Sequence, residues 1–346
     1  MKFRTRMLVV LAALIASATT SSLALAQEVT LRLHHYLPPA AFPHARFLAP
    51  WAEKVERESN GRIKVQIYPA MALGGTPLQL VDQLRDGVVD IIWTVPGFTA
   101  GRFPRTEIFE LPFVHTNAVA ATMALQDYQA KHLRDEYADY QVLLMHTNDG
   151  LLVFANKPVR RIEDYAGMKV RTPSRAGSVF LRAVGATPVG APVNEVPQML
   201  SKGVIDGALL SYEIALPLKA HQLTRNQSEF AGPQPRIMAP VFLFAMNKQT
   251  YAKLPDDLKR VIDANSGRNI ARAAGETWIE IERIGKVAAQ KEGNTLPVME
   301  ANEVERVRAA VRPEIDKFLT ELGGRGIDAK QLYDDARAMV QQHTTK

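Results

Sequence analysis

The sequence predicts an α/β chain in two domains. Strand-like segments alternate with helical ones, so neighbouring strands must be joined by crossovers of the kind that build parallel pairs. The alternation halts at Asn148-Asp149-Gly150 and then begins again. The 346 residues, 47% hydrophobic and 23% charged, suffice for two cores at roughly 150 residues per domain.

Residues 29–33 alternate apolar and polar side chains, and residues 63–68 (Ile-Lys-Val-Gln-Ile-Tyr) do so more cleanly, which is the period of half-buried strands. Between them Phe47, Leu48, Trp51, Ala52 and Val55 recur at helical spacing, predicting a helix over 43–59 that Asn60-Gly61 ends. Strand, helix and strand together imply a right-handed crossover. Thr76-Pro77 opens a second helix over 76–87, Gly87 closes it, and 88–95 is apolar enough for a strand covered on both faces. Residues 116–137 read as a long helix and 141–146 as a strand.

Beyond Asn148-Asp149-Gly150 strands are expected at 151–155, 168–171 and 204–210, with helices at 176–184 and 193–202. Residues 237–246 form a further long apolar strand. A near-continuous helical pattern over 256–291 would reach about 50 Å, enough to lie across two domains. The tail after Ala301 is helical and charged. The chain shows no repeat of fixed period and no low-complexity segment.

Lys2, Arg4 and Arg6, an apolar run over 7–16 and the small-residue stretch ending Ala24-Leu25-Ala26 read as a cleavable export signal over 1–26. The apolar run is shorter than the roughly 20 residues that span a bilayer, and no other run reaches that length. The chain has 42 Lys and Arg against 36 Asp and Glu, and removing the three leader cations leaves a surplus of three. No basic block is interleaved with aromatics, which argues against nucleic-acid binding. There is no cysteine, so disulfides, thiol nucleophiles, thiolate metal sites and lipidation after the signal are excluded.

An exported hydrolase or lyase would need an acid–base pair, for which Glu213, Asp149 and His146 are chemically eligible. However, no Gly-x-Ser-x-Gly, His-Glu-x-x-His or phosphate loop is present. The eight histidines are dispersed, and the adjacent His34 and His35 point to opposite faces of a strand. The expectation is a protein that binds rather than transforms, without cofactor or metal.

Several stretches, in one order along the chain, resemble the solute-binding proteins of tripartite ATP-independent periplasmic (TRAP) transporters in the dicarboxylate-binding family. They are Trp51-Ala52-Glu53-Lys54-Val55 through Asn60-Gly61-Arg62-Ile63-Lys64-Val65, and Leu84-Arg85-Asp86-Gly87-Val88-Val89-Asp90-Ile91. Phe109-Glu110-Leu111-Pro112-Phe113, Gly167-Met168-Lys169-Val170-Arg171-Thr172-Pro173, Val204-Ile205-Asp206-Gly207, Met246-Asn247-Lys248 and Leu254-Pro255 complete the set. The resemblance implies two α/β domains, joined by crossing strands and a long helix, that close on a ligand at a hinge. The implied partition is 27–149 with 236–277, and 150–235 with 278–346, Asn148-Asp149-Gly150 being a candidate hinge. It also implies a periplasmic protein, working as a monomer, that captures an organic carboxylate and delivers it to the membrane permease subunits. A sensor-linked binding protein would use the same closing domains, and the neighbouring genes distinguish the two.

In the family, the Arg of the Lys-Val-Arg-x-Pro motif pairs with the ligand carboxylate, which maps onto Arg171. Its planar guanidinium offers two parallel N–H groups to two oxygens. Some acid-sugar and dicarboxylate binders carry a second Arg where this chain has Leu151, and Asn-Pro where it has Leu210-Ser211. Unpaired polar groups in a closed cleft cost about 1–3 kcal/mol each, so these changes favour a monocarboxylate with an apolar or aromatic body. A C4-dicarboxylate or sugar acid is the alternative. Tyr212-Glu213 resembles the Trp-Glu of relatives that bind 2-oxo or 2-hydroxy acids, where the pair in some cases helps hold a cation; it reads equally as a packed Tyr and a capping Glu. His35, Tyr36, Trp93, Phe98 and Asn148 stand at strand ends facing the expected cleft, Ser174 just follows the Arg motif, and Phe244 and Asn247 sit on the return strand.

Overall fold

The structure is a computed structural model that describes residues 29–232 and 235–345. The leader expected over 1–26 lies outside the described residues. In chain order, β1 (Val29–His35) leads through a π-helical turn at His44–Leu48 into α1 (Ala49–Glu58) and β2 (Ile63–Tyr68). Then come α2 (Leu80–Arg85), β3 (Ile91–Thr94), α3 (Pro104–Phe109), α4 (Ala118–Tyr128) and β4 (Tyr140–Thr147). The second set is β5 (Leu152–Ala155), β6 (Lys169–Thr172), α5 (Arg175–Ala183), β7 (Thr187–Gly190), α6 (Val196–Ser201), β8 (Gly207–Leu210), α7 (Tyr212–Ala215), α8 (Ala220–Leu223) and β9 (Asn226–Phe230). The chain continues as β10 (Val241–Asn247), α9 (Lys248–Lys253), α10 (Asp256–Ala264), α11 (Arg268–Lys291), β11 (Val298–Met299), α12 (Ala301–Gly323) and α13 (Ala329–Thr344).

The strands form two sheets, ordered β2-β1-β3-β10-β4 and β11-β9-β5-β8-β6-β7. In the first, β1 pairs parallel with β2 and β3, whereas β10 enters antiparallel between β3 and β4. In the second, β6 pairs parallel with β7 and β8, whereas β5 runs antiparallel to β8 and β9. The chain therefore passes between sheets three times, after β4, before β10 and between β10 and β11, and the first two passages bond to each other through Leu151 N–H to Met238 O at 2.8 Å. Gly150 allows this: its φ is +100°, and a Cβ there would lie 2.4 Å from Cβ of Arg236.

The long helix expected over 256–291 is broken in two. Gly267, at φ +54°, turns the chain at the end of α10, and tertiary bonds capture the break. Trp51 donates its indole N–H to Asn265 O at 2.8 Å, and the Gly267 N–H bonds Leu143 O in β4. The remaining helix, α11, has 24 residues and spans about 36 Å, not 50. It still packs on both halves. At Gly275 an added Cβ would lie 2.6 Å from Cα of Val119 in α4, and at Gly285 2.7 Å from the Tyr212 carbonyl oxygen in α7.

Other elements differ in extent. β3 starts at Ile91 because the N–H groups of Val88 and Val89 bond back to Gln83 O, and Val88 is half exposed. β8 starts at Gly207 because the Val204 N–H caps α6 at Met199 O. Residues 237–240 belong to the crossing segment. The C-terminal helix α13, placed with the second domain by its position in the chain, packs on α3 and α4 instead, with His343 on Asp127 at 2.8 Å and His132 on Asp335 at 2.7 Å.

Candidate functional site

The carboxyl ends of β1, β3, β6 and β8 converge where the two sheets face each other, the usual ligand position in open α/β sheets. They enclose a narrow cleft with about 370 Å³ of unfilled space, the open mouth included. One wall, from the first sheet, is aromatic. Tyr36 stacks on Trp93 with centroids 5.5 Å apart, Phe98 meets Tyr36 edge-on at 5.3 Å, and Phe242 stacks on the other side of Trp93 at 4.8 Å. Trp93 is fixed further by its indole N–H, which donates to His146 Nε2 at 2.9 Å. The facing wall, from the second sheet, is aliphatic: Leu151, Val193, Leu209, Leu210 and Ile214.

Four polar side chains interrupt these walls: Arg171, Asn148, Ser211 and Glu213. Arg171 ends β6 and is only 2% exposed. Its Nε donates to Ala191 O at 2.8 Å and its Nη1 to Leu209 O at 3.1 Å, which aims the guanidinium. No carboxylate among the described residues forms an ion pair with it. Burial pulls its pKa down to about 10, partly offset by Tyr36 and Glu195, so it stays a cation at neutral pH. A buried cation without a counter-ion is costly unless an anion completes it.

Glu213 is 3% exposed, and burial raises its pKa to about 7 against the hydrogen bonds that lower it. Its Oε1 accepts from Ser211 Oγ at 3.1 Å and Asn148 Nδ2 at 3.4 Å, while Oε2 has no partner. Its backbone N–H donates to Glu282 of α11 at 3.0 Å. Asn148 is held in turn, its Oδ1 accepting the Gly150 N–H at 3.1 Å. The Tyr36 hydroxyl makes no hydrogen bond among the described residues; its ionisation is pushed up by burial and by Glu213 and down by Arg171, with which it shares the cleft.

Of the residues expected from the sequence, Arg171, Glu213, Asn148, Tyr36, Trp93 and Phe98 share the cleft. The others do not line it. His35 is the register partner of Trp93 and meets its ring edge-on at 6.5 Å, but its imidazole is taken up by His44, which it bonds at 2.9 Å. Tyr212 is buried against Phe154 and Arg236. The Ser174 hydroxyl is buried without a hydrogen bond, its Cβ against Gly97. Phe244 lies deeper along β10 against Trp51, and Asn247 caps α9 through the Thr250 N–H. Leu151 and Leu210, singled out as apolar replacements, both line the cleft. Phe242 and Ser211 were not anticipated, although period-two alternation back from Phe244 pointed to the first.

The alternative acid–base groups are otherwise engaged. His146 is buried and its pKa is lowered to about 3 by burial, leaving a neutral ring that orients Trp93. Asp149 accepts the Ala118 N–H at the start of α4. Among the described residues no group of three or more His, Asp and Glu side chains is arranged to hold a metal ion.

The cleft thus sets one buried guanidinium, with no ion-pair partner among the described residues, between an aromatic and an aliphatic wall. Residues 33–321 match the family model of bacterial extracellular solute-binding proteins, family 7. The chain belongs to that family. Structures similar to this family 7 protein are TRAP solute-binding proteins. One, from a marine metagenome and specific for aromatic acid ligands, is complexed with 3-hydroxybenzoate; it is 40% identical with a TM-score of 0.90 over 92% of this chain and 99% of its own. Another, from Rhodoferax ferrireducens T118 with copurified benzoate, is 40% identical with a TM-score of 0.89 over 92% and 99%. A third, from Bordetella bronchiseptica with bound (R)- and (S)-mandelate, is 27% identical with a TM-score of 0.81 over 91% and 99%. The family 7 chain is thus a TRAP solute-binding protein with the two-domain α/β fold.

Proposed function

We propose that the protein captures an aromatic monocarboxylate in the cleft and presents it to the membrane subunits of a TRAP transporter. The observation that carries this reading is Arg171, a buried cation without a counter-ion among the described residues, at the edge of a chamber walled by aromatic and aliphatic side chains. One ligand carboxylate would satisfy it. The chamber offers no second cation for a dicarboxylate, and Leu151 and Leu210 face where further polar groups would have to sit. The ligands of the similar structures, 3-hydroxybenzoate, benzoate and mandelate, support the same class.

Capture proceeds by domain closure. The aromatic wall comes from one sheet and Arg171 from the other, so a ligand held by both stabilises the closed state over the open one. A ligand touching one wall alone would shift nothing. The moving parts are taken as 27–149 with 236–277 and as 150–235 with most of 278–346, pivoting on the crossing segments around Gly150. Export follows from cleavage before Gln27, and the protein acts in the periplasm as a monomer that binds without transforming its ligand.

The test is a thermal-shift and calorimetric comparison of the exported form, residues 27–346, against benzoate, 3-hydroxybenzoate, mandelate, succinate and glucuronate. A ligand at about a hundred times its Kd adds roughly 2.7 kcal/mol, which moves the midpoint by several degrees. Shifts with the aromatic acids alone are expected; tighter binding of succinate or glucuronate would overturn the reading.

A further inference from the structure

We infer that Glu213, with Tyr36 opposite, forms a subsite for a hydroxyl group on the ring of the bound acid, so that the protein selects hydroxylated aromatic acids over unsubstituted ones. The inference rests on the aromatic-acid reading above and names the ligand class more narrowly.

A pocket for benzoate alone has no use for a buried carboxyl in its wall. Glu213 and Arg171 are the two charged side chains among the cleft's described lining residues, and when ionised Glu213 repels a carboxylate where Arg171 attracts it. It is also built into place. Two donors, Ser211 Oγ and Asn148 Nδ2, converge on Oε1, and the backbone is tied to Glu282 of α11. Oε2 is left buried and without a hydrogen bond. Such an oxygen, when ionised, accepts from a donor that the ligand brings and, when protonated, donates to an acceptor that the ligand brings, and a hydroxyl supplies either. The Tyr36 hydroxyl lies where it feels both Arg171 and Glu213 and has no partner of its own. A phenol has one O–H to give and lone pairs to receive, so a single ring hydroxyl satisfies both groups, donating to Oε2 and accepting from Tyr36. Neither a ring methyl nor a ring hydrogen does so. Sites built to hydrogen-bond a ligand hydroxyl reject analogues that lack it far more strongly than apolar pockets reject an extra methyl.

The experiment is isothermal calorimetry of the exported wild-type chain with benzoate, the three monohydroxybenzoates and the three monomethylbenzoates, repeated for Glu213→Met. For one ring position, the hydroxy acid is expected to bind about 10- to 100-fold more tightly than its methyl isostere. In Glu213→Met that preference of the hydroxy acid over its methyl isostere is expected to disappear. Equal affinities for hydroxy and methyl pairs at every position would overturn the hydroxyl subsite and leave the aromatic-acid reading intact. Absence of binding by all seven acids would overturn both. The ligand series needs only wild-type protein, so the inference stays decidable if Glu213→Met does not fold.

Discussion

Replacing Arg171 with methionine separates a ligand anchor from a structural cation, because the two roles predict opposite effects on the empty protein. Burial holds the guanidinium near pKa 10 instead of 12.5, and at about 1.36 kcal/mol per unit the gap is a penalty of roughly 3 kcal/mol borne by the folded, ligand-free chain. Methionine removes that penalty and keeps most of the volume. It also removes two hydrogen bonds, to Ala191 O and Leu209 O, each worth roughly 1.5–3 kcal/mol for a charged donor. The first term offsets half or more of the second, so urea unfolding of ligand-stripped Arg171→Met should lie within about 3 kcal/mol of wild type. Binding should not survive. Two charge-assisted bonds to a carboxylate amount to roughly 3–6 kcal/mol, so Kd should rise about 10²- to 10⁴-fold by calorimetry. A Kd within about tenfold of wild type would refute the anchor, and a loss of more than about 4 kcal/mol in the empty protein would show that the cation holds the fold.

Three further outcomes follow from the structure. Gly285→Ala and Gly275→Ala, which drive a Cβ to 2.7 Å and 2.6 Å from the backbone of α7 and α4, should each lower stability by about 1–3 kcal/mol in urea titrations, whereas Gly323→Ala, with nothing within 4 Å, should be neutral or stabilising. Stability should fall between pH 6.5 and 8.5. Glu110, Glu213 and Glu282 have pKa values raised by burial to about 8, 7 and 8, so the folded chain keeps protons that the unfolded chain has released, and stability present below the ordinary carboxyl range is lost as pH rises through these values. His35, His115 and His146, lowered to about 3, 4 and 3, act in the opposite sense only below about 6.5. Glu110→Gln should flatten the alkaline slope, by up to about 1.4 kcal/mol per pH unit, and an unchanged slope would exclude Glu110 as its source. Finally, Phe98→Ala, at a partly buried position edge-on to Tyr36, should weaken aromatic-acid binding about tenfold in calorimetry while leaving the urea midpoint nearly unchanged; unaltered affinity would remove Phe98 from the ligand wall.

The elements that the sequence revealed are those whose local pattern agrees with their tertiary setting. β2 was bounded to the residue because Ile63, Val65 and Ile67 alternate cleanly, and Arg171 stood out because its motif ends a strand. The elements it hid depend on partners. β9 reads Asn-Gln-Ser-Glu-Phe, with no alternation, and exists because β5 and β11 flank it; β7 reads Thr-Pro-Val-Gly, which locally means a turn. The break after α10 was hidden because Ser266-Gly267 interrupts a strong helical pattern, and only Leu143 and Trp51 favour the interruption. Within the site, residue types at strand ends were legible, but which face each takes was not. His35 and Tyr36 both reach the Trp93 ring, yet only Tyr36 lines the cleft because His35 is taken up by His44, and at the start of α7 Glu213 enters the cleft while Tyr212 packs on Phe154.

The return of the final helix to α3 and α4 has a practical consequence for measuring motion. A dye near Thr344 travels with the aromatic half of the cleft, although the chain reaches that point only after completing the other half. Val204, half exposed on the outer face beside β8, travels with Arg171. Because the sequence contains no cysteine, thiols introduced at positions 204 and 344 would be the sole labelling sites, and fluorescence transfer between them becomes a direct gauge of the gap between the halves. Titrating the candidate acids against that gauge would time closing separately from binding, in a chain that needs no further engineering to carry the pair of probes.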